Sequence, residues 1–214
     1  MTKFDAVLLA SGGMDSTVLS YKLEAEGKNV VILFLNYGQH CYEKEYNTLC
    51  KVLPKSFKNN IKLINISDIY RDADSRMIKE ADLWADLVQP DDLYLPYRNL
   101  LFLSIASAYA QSVKIDEVYS AFINSNHAKE IDCSLDFFDK LRDLLQEYGS
   151  VKINMPFRNM TKTEVAKLGV KLQVPIGQTF SCQVNSKNPC GACPNCVDRL
   201  EAFSSLLKEA DYGK

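Results

Sequence analysis

A short glycine-containing segment near the start of the chain, Ser11-Gly12-Gly13-Met14-Asp15-Ser16, has the composition of a phosphate-binding loop. Its glycines carry no side chains, so the backbone can approach a ligand closely. Its serines add hydroxyl donors, and a helix beginning here would present unpaired N–H groups and the positive end of its dipole. We therefore predict a site for a phosphate or pyrophosphate, which the flanking Ala10 and Thr17 extend.

An ordinary turn is the alternative interpretation of this segment, with Asp15 or Ser16 as the N-cap of the next helix. The spacing alone does not separate the two interpretations. The position favours a ligand site, because an apolar run at 4–10 precedes the loop and helical spacing follows it. The segment lacks the Gly-Lys-Ser/Thr ending of a Walker loop and the Gly-x-Gly-x-x-Gly dinucleotide fingerprint.

Four cysteines lie close together near the end of the chain: Cys182, Cys190, Cys193 and Cys196. Proline and glycine residues between them favour tight turns, and the spacing suits a closed tetrahedral Zn²⁺ site. An iron–sulfur cluster uses the same ligand type and is the competing interpretation, although zinc is favoured. The remaining thiols have no partners at ligand spacing: Cys41 and Cys50 are predicted to be packing residues, and Cys133 a packing or substrate-contacting one.

Cations stand where two helices are expected to begin. Arg98 and Asn99 precede an apolar helical run, and Lys162 follows Thr161, which has capping-box spacing to Glu164. A positive side chain at a helix N-terminus opposes the helix dipole and so needs an anionic partner. Phosphate is the functional candidate. An ion pair with an upstream acid is the alternative for Arg98, and solvation is the alternative for Lys162.

Composition excludes several classes of protein. The chain has 214 residues, of which 47% are hydrophobic and 24% charged, as in ordinary globular domains. Its formal net charge of -2 does not indicate a broad basic surface for nucleic acid. No apolar run reaches the ~18 residues of a membrane span. The first residues lack a signal-peptide profile, so we expect a cytoplasmic protein with reduced thiols.

Apolar runs of strand length alternate with helical patterns along most of the chain. Such alternation predicts an α/β fold with a doubly wound parallel sheet. The five predicted strands lie at 4–10, 30–37, 61–66, 117–122 and 152–156.

Two further features divide the chain. The charged stretch 68–94 is predicted to be an insertion over the active-site end of the sheet, forming a lid, or equally a solvated connection. We place a boundary at residue 173, with the α/β domain at 1–173. The segment 174–214 then contains the cysteine site and a C-terminal helix.

Several motifs occur in a characteristic order: the loop 11–16, Asn36-Tyr37-Gly38-Gln39, Leu95-Pro96-Tyr97-Arg98-Asn99, Lys162-Thr163-Glu164, and Thr179-Phe180-Ser181-Cys182 before the later cysteines. The first resembles the loop of the ATP pyrophosphatases. Together they resemble the 7-cyano-7-deazaguanine synthase family of the queuosine precursor pathway over nearly the whole chain. The resemblance implies an adenine nucleotide α-hydrolase-like fold, bound zinc, and a homodimer.

The same resemblance implies an activity. ATP adenylates the carboxylate of 7-carboxy-7-deazaguanine with release of pyrophosphate, ammonia displaces AMP to give the amide, and a second activation gives the nitrile. Magnesium accompanies ATP. The implied catalytic residues are Ser11, Asp15, Ser16, Arg98 and Lys162, and the implied ATP contacts add Ala10, Gly12, Gly13, Met14, Thr17, Tyr37, Gln39 and Asn99.

The loop after the fourth strand departs from the family pattern. It keeps Asp132 and Cys133 but lacks the glycines, the proline and the arginine that family members usually carry there. Its candidate substrate-binding residues are Asn124, Asn126, Asp132 and Cys133. The departure leaves two alternatives open: a related enzyme that transfers a deazapurine acyl group to an amine on a partner protein, and an inactive ATP- and zinc-binding interaction module.

Overall fold

The computed structural model describes residues 3–81, 90–123, 133–184 and 187–212. Its centre is a five-stranded parallel sheet in the order β3-β2-β1-β4-β5. The strands are β1 (Ala6–Leu9), β2 (Val30–Asn36), β3 (Ile61–Asn65), β4 (Glu117–Tyr119) and β5 (Lys152–Asn154). Each lies within a predicted run, and the predicted α/β fold with a parallel sheet is confirmed.

Helices cover both faces of the sheet. The helices are α1 (Met14–Ala25), α2 (Tyr42–Val52), α3 (Arg98–Ser112), α4 (Leu135–Tyr148), α5 (Lys162–Lys171) and α6 (Pro194–Tyr212). Side chains of α1, α2, α5 and α6 share one buried core cluster, and those of α3 and α4 share another. The sheet therefore separates two cores, which is the doubly wound arrangement.

Successive side chains of β1 point alternately into these two cores. Ala6 and Leu8 lie in the core beneath α1, whereas Val7 and Leu9 lie in the core beneath α3. Because successive side chains of a strand point to opposite faces, a strand buried on both sides must be apolar at every position. The edge strand β3 differs, since Lys62 and Leu63 are exposed.

The strands are shorter than their apolar runs, and the difference matters most in β4. It pairs with β1 only at Val118 and Tyr119. The backbone N–H of Ser120 still donates to the Asn154 carbonyl at 3.0 Å, but Ala121 and Phe122 lie beyond the strand and line a cavity. The residues that follow β4 thus contribute apolar side chains to the cavity above the sheet.

A third buried cluster joins the cysteine segment to the α/β part of the chain. Tyr37, Cys41, Met77, Phe180 and Cys182 belong to it. Residues of the stretch 68–94 therefore pack beside the residues after β2. Residues 82–89 of that stretch lie outside the described residues, and the boundary placed at residue 173 stays a prediction.

Side chains cap the starts of α5 and α4, and the first of these caps was predicted from the sequence. The Thr161 side chain accepts from the Glu164 N–H, and the Glu164 carboxylate accepts from the Thr161 N–H, which completes the predicted capping box. Ser134 caps α4 by accepting from the Phe137 N–H at 3.1 Å. Within the described part of the chain, none of the helices combines the length and apolar character that crossing a bilayer requires.

Gly12 is the position where a side chain is least tolerable. Its φ is +77°, and an added Cβ would lie 2.7 Å from the Leu49 nitrogen and 2.9 Å from the Glu45 carbonyl oxygen, both backbone atoms of α2. Gly27 has a similar φ of +74° but nothing within 4 Å of its would-be Cβ. Substitution of Gly27 therefore tests backbone strain alone, whereas substitution of Gly12 tests the same strain together with a steric clash.

We expect Gly27→Ala to lower the free energy of unfolding by about 1 kcal/mol, the usual cost of the left-handed conformation. Gly12→Ala should cost at least about 2 kcal/mol more, because α2 would have to move. Urea unfolding of both variants measures the difference. Equal losses would show that the contact between the loop and α2 is unimportant for stability.

Candidate active site

A cavity of about 240 Å³ lies at the C-terminal ends of the central strands. This is where parallel α/β sheets bind ligands. It brings together most of the residues predicted to contact ATP, which are Ala10, Ser11, Gly13, Met14, Asp15, Ser16, Tyr37, Gln39, Arg98, Asn99 and Lys162. A larger depression of about 390 Å³ beside β5 contains none of them. The smaller cavity is therefore the candidate active site.

The glycine loop leads directly into α1. Gly13 is the N-cap residue and supplies no side-chain cap, so Asp15 and Ser16 lie inside the first turn and neither is the N-cap. The Thr17 hydroxyl donates to the Gly13 carbonyl at 2.7 Å, and Thr17 is fully buried. Because no side chain caps this helix, its first N–H groups are left for a ligand.

Asp15 and Lys162 form an ion pair across the cavity wall. Lys162 is the first residue of α5, and its predicted need for an anionic partner is met by this carboxylate. Among the residues that the structure describes, the other carboxylate oxygen of Asp15, Oδ1, is buried and has no hydrogen-bond partner. A buried carboxylate oxygen of this kind is suited to a hard divalent cation.

Arg98 begins α3, after Tyr97 in the left-handed conformation at φ 57°. Its Nη1 atom donates to the Met77 sulfur at 2.6 Å. Arg98 also forms a hydrogen bond with the Tyr37 side chain, and a guanidinium in this wall is suited to a phosphate oxygen. Burial raises the pKa of the neighbouring Tyr37 phenol well above its usual value, and Tyr37 therefore stays neutral.

Gln39 fixes the turn after β2. Its amide donates to the Leu35 carbonyl at 3.2 Å and to Glu45 Oε2 at 3.1 Å, and its amide oxygen accepts from the Tyr37 N–H at 2.9 Å. Burial raises the pKa of Glu45 to about 7, against the opposite influence of Gln39, Cys41 and Arg98. Sequence reasoning missed Glu45, because an acid within an amphipathic helix gives no signal of its own.

Other wall residues were also missed as site residues. Met77, Ser181, Gln183 and Asn195 line the cavity, with Phe180 beside them. Phe180 and Ser181 stand in a motif of the family resemblance, which is the only sequence signal any of the five carries.

The substrate loop is described only at its two ends. Ala121 and Phe122 line the cavity, and the Asn99 side-chain amide donates to the Cys133 sulfur at 3.0 Å. Cys133 therefore lies beside a residue of the cavity wall. The other predicted substrate-binding residues, Asn124, Asn126 and Asp132, lie outside the described residues.

The four cysteines of the C-terminal segment converge. All four Sγ atoms lie within 4.8 Å of one another, and those of Cys190 and Cys196 are 4.0 Å apart. Tetrahedral zinc at ~2.3 Å from each sulfur places sulfurs about 3.8 Å apart, whereas an iron–sulfur cluster would separate them further. The hydrogen bond with Cys182 and burial raise the pKa of Cys193, and a cation among the sulfurs removes that cost. The cluster therefore fits a single metal ion.

The parallel sheet, with the Ser-Gly-Gly-x-Asp-Ser loop between β1 and α1, defines a doubly wound α/β protein with a candidate phosphate-binding loop. The model of the family described as queuosine biosynthesis protein QueC matches residues 5–207, and the chain belongs to that family.

Curated relatives match over nearly the full chain. The 7-cyano-7-deazaguanine synthase of Picrophilus torridus is 34% identical in an alignment 216 residues long, gaps included. The alignment covers 92% of this chain and 86% of that protein. The 7-cyano-7-deazaguanine synthase 1 of Colwellia psychrerythraea is 32% identical over 209 residues, which cover 92% of each. The synthase of Hahella chejuensis is 34% identical over 209 residues, covering 92% of this chain and 87% of that protein.

A solved structure shares the fold. The Methanocaldococcus jannaschii protein described as a predicted subunit of tRNA methyltransferase has a TM-score of 0.51 at 17% identity, and the match covers 78% of this chain and 74% of that one. At this identity the similarity concerns the fold alone.

The purified protein should contain about one zinc ion per chain, measured by elemental analysis. Cys190→Ser should lose most of it, because a closed tetrahedral site needs all four thiolates. Cys50→Ser is the control, since Cys50 lies on α2 outside the cluster, and it should keep the metal. Iron together with a visible absorption band would contradict the assignment.

The raised pKa of Glu45 makes stability depend on pH. An acid with a higher pKa in the folded state stabilises below its unfolded pKa of 4.5, and this stability is lost as pH rises towards 7. Relative to Glu45→Gln, the wild type should lose on the order of 2 kcal/mol between pH 4.5 and 8, measured by urea unfolding. Glu43→Gln, an exposed substitution on the same helix, is the control. A constant difference between wild type and Glu45→Gln would contradict the burial of a charged carboxylate.

Proposed function

We propose that the protein converts 7-carboxy-7-deazaguanine and ammonia to 7-cyano-7-deazaguanine, with ATP split into AMP and pyrophosphate. The observation that carries the proposal is the uncapped start of α1 beside the Asp15–Lys162 pair, in one cavity with Arg98. The family and the names of the curated relatives supply the substrate class.

The site residues suit adenylation of a carboxylate. A carboxylate oxygen is a poor leaving group, whereas AMP is a good one. The first N–H groups of α1 and the Ser11 hydroxyl would bind the phosphates, and Lys162 and Arg98 would supply positive charge as pyrophosphate departs. These donors are held by the fold before the ligand arrives, so little reorganisation is needed during the reaction.

Magnesium is part of the proposal. The buried Asp15 Oδ1 atom would be its protein ligand, because this oxygen belongs to a carboxylate at the phosphate loop and has no hydrogen-bond partner within the described ranges. When bound, the ion neutralises phosphate charge and orients the polyphosphate. Lys162 would keep the other carboxylate oxygen in place.

The acid substrate would lie against the residues that follow β4. Ala121 and Phe122 line the cavity there, Asn99 lines it as well, and Cys133 contacts Asn99. The amide and thiol are suited to the polar edge of a deazapurine, and the apolar side chains to its ring. Asn124, Asn126 and Asp132 stay candidates for the same role. Zinc at the four cysteines would be structural, since a closed thiolate site leaves no open position.

Mass spectrometry of a reaction with ATP, 7-carboxy-7-deazaguanine and ammonia tests the proposal. One AMP should form with the amide and a further AMP with the nitrile, because each is preceded by an activation. Absence of AMP under these conditions would overturn the proposal. Accumulation of the amide alone would limit it to the first activation.

Variants connect the activity to the cavity. Lys162→Ala should lower AMP formation on the order of a hundredfold, the usual cost of one charge-stabilising group. Lys171→Ala, at the exposed other end of the same helix, is the matched control and should keep full activity. Activity retained in Lys162→Ala would remove this side chain from the mechanism.

A further inference from the structure

Arg199 connects the helix that follows the cysteines to the short segment 176–179. It lies on α6, one turn after the predicted ligand Cys196. Its Nη1 atom donates to the Thr179 hydroxyl at 2.5 Å, and its Nη2 atom donates to the Ile176 carbonyl at 2.7 Å. The guanidinium carbon is 4.6 Å from the centre of the Phe203 ring. The planar guanidinium of Arg199 is therefore held by two hydrogen bonds and by a contact with an aromatic ring.

The partners of Arg199 lead directly to the glycine loop. Thr179 is followed by Phe180, whose backbone N–H donates to the Gly12 carbonyl at 3.1 Å. The Phe180 carbonyl in turn lies 3.6 Å from the position of a Cβ on Gly13. The side chain that Arg199 binds and the backbone that contacts the loop thus belong to adjacent residues.

Arg199 itself does not line the cavity, although Phe180 and Ser181 do. A role in direct ligand contact is therefore not indicated, and we expect the effect of Arg199 on the site to pass mainly through the segment 176–180.

We propose that Arg199 is a positioning residue for the phosphate loop. By holding the Ile176 carbonyl and the Thr179 hydroxyl, it fixes the Phe180 N–H against Gly12, and the loop keeps the conformation in which its N–H groups face the ligand. The inference rests on the proposed function only in taking the ligand to contain pyrophosphate.

Binding of inorganic pyrophosphate, measured by calorimetry on the metal-loaded protein, tests this role without any acid substrate. Arg199→Gln should weaken pyrophosphate binding about tenfold or more, because two hydrogen bonds that hold the loop support are lost. Arg199→Lys should recover only part of the affinity, since an ammonium cannot reproduce the fork. The KM for the acid should stay unchanged while the KM for ATP rises.

Two further variants separate positioning from general stability. Arg158→Gln removes a bidentate pair with Asp139 beside β5, away from the cavity, and should lower the melting temperature without changing pyrophosphate affinity. Thr179→Val removes one of the two acceptors of Arg199, so it should weaken pyrophosphate binding less than Arg199→Gln does. The double variant should add little to the loss in Arg199→Gln, because both substitutions remove the same contact. Thr179→Ser should restore wild-type affinity.

The outcomes distinguish this inference from the proposed function. Unchanged pyrophosphate affinity in folded, metal-containing Arg199→Gln would overturn the positioning role, whatever the acid substrate is. Additive losses in the double variant would also overturn it. A wild type that binds pyrophosphate in an Arg199-dependent manner but forms no nitrile or amide would leave the inference standing and contradict the proposed function.

Discussion

Confinement of the backbone at Gly12 is the constraint on which the site depends. On one side the backbone of α2 approaches so closely that no Cβ fits, and on the other the Phe180 N–H binds the Gly12 carbonyl. Both contacts involve main-chain atoms, which cannot move aside as a flexible side chain can. The loop is therefore held in shape before any ligand binds, and its uncapped N–H groups keep a fixed direction.

The electrostatics of the cavity are set by two cations at helix starts. Lys162 and Arg98 both begin helices, where the helix dipole disfavours a cation. Asp15 offsets this cost for Lys162 by an ion pair. Arg98 has both neutral and acidic neighbours: it donates to the Met77 thioether, it forms a hydrogen bond with Tyr37, and the Glu45 carboxyl lies nearby. The cavity thus holds positive charge that an anionic ligand would stabilise further.

The sequence predicted the elements whose signals are local. The apolar run at 4–10 indicated a strand, the glycines indicated the loop, and Thr161 with Glu164 indicated the start of α5. The four cysteines were recognised by spacing alone. What it could not predict depends on distant partners: Glu45 and Arg199 occupy ordinary helical positions, and only the fold brings them to Gln39 and to Thr179. The early end of β4 was likewise invisible, because strand length depends on pairing with β1.

The strand order has a consequence for how the protein folds. The first strand is central, and its neighbours β2 and β4 come from different halves of the chain. During synthesis, β1, β2 and β3 can pair as soon as they emerge, together with α1 and α2. The Asp15–Lys162 pair joins residues 147 positions apart, and the contact of Phe180 with Gly12 spans a still longer separation. Because such non-local contacts form late, we expect the ligand site to be completed only after most of the sheet has assembled.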